Sequence, residues 1–140
     1  IVQLLLQDSR VDPSAENNYA IRYVSTVGHF EIVKLLLQDS RVDPSAGNNK
    51  AIIGASFYGH TDIVKLLLLD SRVDPSDGNN KAIIGASKRG HTEVVKLLLQ
   101  DSRVDPSDDN NSAIRWASIN GHAGIVKSLM KDSRVDPSAR

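Results

Sequence analysis

Across residues 61–68 the aliphatic side chains of Ile63, Val64, Leu66, Leu67 and Leu68 leave only Lys65 and the two ends polar. Their spacing is helical, and so broad an apolar surface fits a helix touched on several sides. Upstream, residues 50–57 place Ala51, Ile52 and Ala55 at i, i+1 and i+4, which predicts a helix with one apolar face. Gly59 is expected to stop that first helix as a C-terminal cap. Thr61 and Asp62 are expected to start the second, since a hydroxyl cap and an acid both suit the positive end of the dipole. Ahead of both helices, Asp43-Pro44-Ser45-Ala46-Gly47-Asn48-Asn49 is turn chemistry: Pro fixes φ, while Gly and Asn tolerate left-handed backbone. Asn49 stands where it could cap the first helix. The predicted unit is a loop followed by an antiparallel helix pair.

This pattern returns throughout the chain. The hexapeptide SRVDPS begins at Ser9, Ser40, Ser71, Ser102 and Ser133, always 31 residues apart. Cutting at its Asp gives whole units at 12–42, 43–73, 74–104 and 105–135, with partial units at 1–11 and 136–140. One array over 1–140 is therefore expected, and the partial flanks with no initiator Met suggest a piece of a longer one. Helices of roughly eight residues do not form alone in water, where about 12–15 are needed, so stability must come from stacking neighbours. The fourth unit departs in its second helix, with Gly124, Ser128, Met130 and Lys131. A more polar face of this kind suits a terminal repeat, whereas SRVDPSAR, restarting at Ser133, suits a further unit, so both readings stand.

The sequence NKAIIGAS followed by GHTDIVKLLL, and GHTEVVKLLL at residues 90–99, resembles the ankyrin repeats over the whole chain. That family's unit is a loop, a TPLHLAA-like first helix and a GHxEVVKLLL-like second helix. The unit here is two residues shorter than the usual length. KAII, YAIR or SAIR replaces the TPLH tetrapeptide, and Asn18, Asn49, Asn80 and Asn111 stand where they could replace its Thr as cap. Short units rich in DPS and NN look like the ankyrin arrays of large DNA viruses of amoebae. The resemblance implies an all-α solenoid of stacked helix pairs with protruding loops, whose loop tips and first helices form a concave partner-binding groove.

Composition narrows the function classes. Seventeen Lys and Arg balance seventeen Asp and Glu, which gives no support for binding nucleic acid or an anionic membrane. The chain has no Cys, so disulfides and thiolate metal sites are excluded. No apolar run is long enough to span a bilayer. A monomer in an intracellular compartment, cytoplasmic or nuclear, is expected.

His29, His60, His91 and His122 recur one per unit, but helices stacked about 8–10 Å apart set equivalent rings too far apart to share an ion. They are expected to satisfy backbone groups between helices. The acidic loops fail the EF-hand pattern, because the twelfth residue counted from Asp74 is Gly85 and from Asp105 is Trp116, not Glu. Lys34, Lys65, Lys96 and Lys127 form a row on the second helices, expected to pair with Glu31, Asp62 and Glu93 in the first three units. No nucleophile, base and orienting group fall together, and no glycine-rich phosphate loop occurs. Neither catalysis nor a metal, cofactor or small-molecule substrate is expected.

Comparing the four copies separates what the fold demands from what it leaves free. DPS, NN, the Ala-Ile and Ser of the first helix, Gly-His, and Val-Lys of the second helix are fixed. Differences concentrate in the loop tip and first helix. Units two and three agree at 25 of 31 positions, yet differ at Phe57/Lys88 and Tyr58/Arg89, a change of surface character and not of core. Neutral drift at exposed positions would also vary, but aromatics and Arg are enriched at interface hot spots. The candidate partner-binding residues are Tyr19, Arg22, Tyr23, Lys50, Phe57, Tyr58, Lys81, Lys88, Arg89, Arg115, Trp116 and Asn120. Gly54 and Gly85 sit mid-helix where the outer units carry Tyr23 and Trp116, so Tyr23 is expected to lean over Gly54 and Trp116 over Gly85. The leading expectation is a non-catalytic module that binds another protein. The alternatives are a spacer or scaffold segment of a larger protein, and a nucleic-acid-binding repeat array.

Overall fold

A computed structural model describes residues 1–136. The last four residues of the partial unit 136–140 lie outside this range. Nine helices and no strand occur among the described residues: α1 (Val2–Gln7), α2 (Ala15–Val27), α3 (Phe30–Leu37), α4 (Ala46–Phe57), α5 (Thr61–Leu68), α6 (Asp77–Arg89), α7 (Thr92–Leu99), α8 (Asp108–Ile119) and α9 (Ala123–Met130). The all-α solenoid expected from the repeat is the architecture found. Within each unit the two helices pack as a pair, and each pair stacks on the next.

The first helices α2, α4, α6 and α8 approach each other closely along the row, while the second helices α3, α5, α7 and α9 touch sparsely. Small residues explain the difference, since Ala51, Ala55, Ala82, Ala86, Ala113 and Ala117 are fully buried and let first-helix backbones come together. Ile52, Ile63, Leu67, Ile83, Leu98, Ile125 and Leu129 are completely buried in one cluster that runs through the second, third and fourth units, while Ile21, Leu36 and Val42 of the first unit form a smaller cluster that Val24 and Leu37 join to it. Each helix thus gains burial only from its neighbours.

Each first helix begins where the turn chemistry of Gly and Asn was expected to admit left-handed backbone. Gly47, Asn48 and Asn49 take φ of 66°, 60° and 59°, one left-handed turn before the right-handed helix begins, and the same turn recurs in every unit. Asn, with its short polar side chain, is the non-glycine residue best suited to that region.

The Asn cap predicted at this turn is not formed. Asn49 is buried and reaches the next unit instead, its Oδ1 accepting the Asp74 N–H (2.8 Å) and its Nδ2 donating to Asp77 Oδ2 (2.8 Å). Asn18 and Asn80 do likewise with the N–H groups of Asp43 and Asp105, both at 2.8 Å, and Asn111 Nδ2 donates to Asp136 O (2.9 Å). The second-helix start also differs: the capping position is His60, Thr61 is the first helical residue, and no side-chain cap forms.

Two further brackets join each unit to the one before it. Arg72 is clamped by Asp70 and donates to Val42 O (2.9 Å), and Arg41, Arg103 and Arg134 repeat the arrangement onto Val11, Val73 and Val104. His60 Nε2–H donates to Thr26 O (3.0 Å), His91 to Phe57 O (2.9 Å) and His122 to Lys88 O (3.1 Å). Because a carbonyl only accepts, each bridging Nε2 carries the proton. The ring lies against the preceding unit's glycine, so that a Cβ at Gly28, Gly59 or Gly90 would overlap it. These glycines also have φ between 76° and 94°, which makes Gly-His one inter-unit device.

Candidate functional site

The right-handed parts of the first helices present their polar faces side by side. Tyr19, Tyr23, Lys50, Tyr58, Lys81, Lys88, Arg89, Arg115, Trp116 and Asn120 are exposed there, while Arg22 and Phe57 are half-buried. All the candidate residues but Arg115 fall into three groups.

Around the third unit, Phe57 and Tyr58 meet edge to face at 5.0 Å, the Arg89 guanidinium lies 4.9 Å from the Phe57 ring centre, and Lys88 Nζ lies 4.2 Å from that of Trp116. Three units thus contribute to one aromatic and cationic cluster. Rigid rings hold the two long cationic side chains, which lowers the entropy lost on docking. Asn120 borders it, its Nδ2 donating to Lys88 O (2.8 Å).

At the N-terminal end, Tyr19 and Tyr23 stack with ring centres 5.6 Å apart. Arg22 folds back, Nε and Nη2 donating to Asn17 O (2.9 Å) and Glu16 O (3.0 Å), and so braces the left-handed turn of its own loop. Between neighbouring loop tips, Lys50 and Lys81 line a cleft of about 280 Å³ together with Ile53 and Asp77. Arg115 is exposed on α8, on the wall of a separate cleft with Ile119 and Met130.

The expected cover of the mid-helix glycines is wrong. Gly54 is covered by Thr26 and Gly85 by Phe57, the residues one helical turn further along the preceding first helix. Tyr23 is occupied by Tyr19 and Trp116 by Lys88. The registers of successive helices are offset, so a residue faces the position three before its own equivalent. The lysine row likewise stays mostly unpaired. Among the described residues only Lys96 lies within ion-pair distance of its helix acid, Glu93, at 3.6 Å.

Val27 and Ile119 were not among the candidates. They are exposed in the same registers as Tyr58/Arg89 and Phe57/Lys88, and that register was the signal available in the sequence.

Carboxylates elsewhere are held in their charged form. Arg41 beside Asp39 takes that carboxyl down to about 2, and Asp8, Asp70, Asp101 and Asp132 are lowered by their own Arg partners. Asp12 and Asp74 are lowered by bonds from the Ser two residues on. No group of three or more His, Cys, Asp and Glu suited to hold a metal ion occurs among the described residues, and no described helix is long and apolar enough to cross a membrane.

A family model described as ankyrin repeats, in three copies, matches residues 1–79 and 53–140, which together take in the whole chain. No curated protein matches it.

Proposed function

Because this chain belongs to the ankyrin-repeat family, whose members are generally protein-interaction modules, we propose that it is a non-catalytic module that binds another protein through the face of its first helices and loop tips. The observation that carries this reading is the cluster of Phe57, Tyr58, Lys88, Arg89 and Trp116. It gathers aromatic and cationic residues from three units on the face of the closely packed first helices. The inter-unit brackets hold the helices before a partner arrives, so docking orders few groups and the burial of aromatic surface goes into affinity.

The test is affinity capture on three immobilised chains. One is wild type, one carries Ala at Phe57, Tyr58, Lys88 and Arg89, and one carries Ala at Lys34, Lys65 and Lys96 on the opposite helices. Proteins held by the wild type are expected to be lost from the first variant and kept by the second. Equal recovery on all three overturns the site.

A further inference from the structure

The neutral total conceals a segregation of charge. Residues 19–27, 50–58, 81–89 and 112–120 carry Arg22, Lys50, Lys81, Lys88, Arg89 and Arg115, and not one Asp or Glu. The acids lie in the left-handed turns that open α2, α6 and α8, in the linkers and in the second helices, where many are already engaged. Asp8, Asp39, Asp70, Asp101 and Asp132 grip the linker arginines at 2.6–2.9 Å. Asp77 and Asp108 accept the side-chain amides of Asn49 and Asn80. Among the described residues, none of the six first-helix cations lies within 4.0 Å of a carboxylate.

Resting on the reading that this face is the docking surface, we propose that its partner is an acidic, extended segment of another protein, with carboxylates recurring about every third residue. Charge complementarity sets the sign. Each of the four units supplies at least one cation, with Lys50 and Lys81 in the same register of neighbouring units, Lys88 seated on the Trp116 ring and Arg89 on the Phe57 ring. A cation seated on a ring face keeps N–H donors for a carboxylate. Spacing sets the register: stacked helices lie about 8–10 Å apart, and an extended chain of polyproline-II form, with about three residues per turn and a rise of about 3.1 Å each, returns a side chain to the same face about every 9 Å, so every third residue meets the next unit. The side chains between the carboxylates then meet the exposed Tyr58 and Trp116. A nucleic acid fits less well, because Glu16, Asp77, Asp108 and Asp109 line the loop tips beside the cations and oppose an unbroken row of phosphates.

Fluorescence anisotropy tests this with three labelled probes: a peptide of repeated Glu-Leu-Ser triplets, its Lys-for-Glu counterpart, and a single-stranded oligonucleotide matched in net charge to the acidic peptide. The acidic peptide is expected to bind at least about tenfold more tightly than either of the others, and to weaken as salt is raised. The Lys88→Glu/Arg89→Glu pair and, separately, the Lys50→Glu/Lys81→Glu pair should each weaken it about tenfold. All four positions are exposed, so both variants are expected to fold, which melting curves check. Absent binding of the acidic peptide, equal binding of the Lys peptide, tighter binding of the oligonucleotide, or indifference to both charge reversals overturns the proposal. Should captured proteins be lost from the groove alanine variant while the acidic peptide fails to bind, the acidic assignment falls and the docking face stands.

Discussion

Replacing Asn80 with Ala probes the bracket that joins the third and fourth units. The side chain is buried, its Oδ1 accepts the Asp105 N–H at 2.8 Å, and its Nδ2 donates to the Asp108 carboxylate at 2.8 Å. A neutral bond contributes about 0.5–1.5 kcal/mol and one to a charged group about 1.5–3 kcal/mol. The residue sits at φ 61°, where Ala costs about 1–2 kcal/mol more than a residue at ease there. Together these give a loss of about 3–6 kcal/mol for Asn80→Ala. Asn80→Gly relieves the backbone and loses about 2–4 kcal/mol. Urea denaturation followed by far-ultraviolet circular dichroism reads both. A helix cap would behave differently, costing about 1 kcal/mol with Ala and only a few tenths with Gly. That smaller pattern would refute the bracket.

Three other perturbations follow from the same contacts. Ser25, Ser56 and Ser87 are buried with hydroxyls that have no hydrogen-bond partner, so Ser56→Ala should stabilise by about 1 kcal/mol, read as a raised urea midpoint; a loss of that size contradicts it. Gly54→Ala should destabilise by about 1–2 kcal/mol despite the better helix propensity of Ala, because the new Cβ meets Thr26 Oγ1, and Thr26→Ala should restore the loss. Melting temperature should fall as pH drops. Asp39 at about 2 and the lowered Asp70, Asp101 and Asp132 mean that the unfolded chain takes up protons first, near its ordinary value of about 3.9. Their contribution is complete above that value and is lost on descending through the folded one, so Tm should be level above about pH 5 and decline below about pH 4. A Tm that rises on acidification contradicts the arrangement.

The repeat, the helix pair, the Gly-stopped first helix and the helical core were legible because each depends on local pattern or on the 31-residue period. The direction of the fixed Asn and Arg side chains was not. Capping rules look within a few residues, whereas Asn49 finds Asp74 twenty-five positions away and Arg72 finds Val42 thirty away. Comparing copies did mark them as constrained, without saying by what. The glycine covers were misassigned for a related reason. Equivalent registers do not face one another, since Thr26, and not Tyr23, opposes Gly54. Exposure of the aromatic and cationic residues followed from their variability, but the pairing of Lys88 with Trp116 and Arg89 with Phe57 required the stacking geometry.

The docking face is tested most directly by hydroxyl-radical footprinting of the chain, free and bound to a captured partner. Tyr19, Tyr23, Tyr58 and Trp116 report the first-helix face, and the exposed Leu69, at the end of α5, reports surface away from it. Binding should protect Tyr58 and Trp116 while Leu69 keeps its reactivity. Protection of Leu69 with Tyr58 and Trp116 unchanged would place the partner elsewhere and contradict the account.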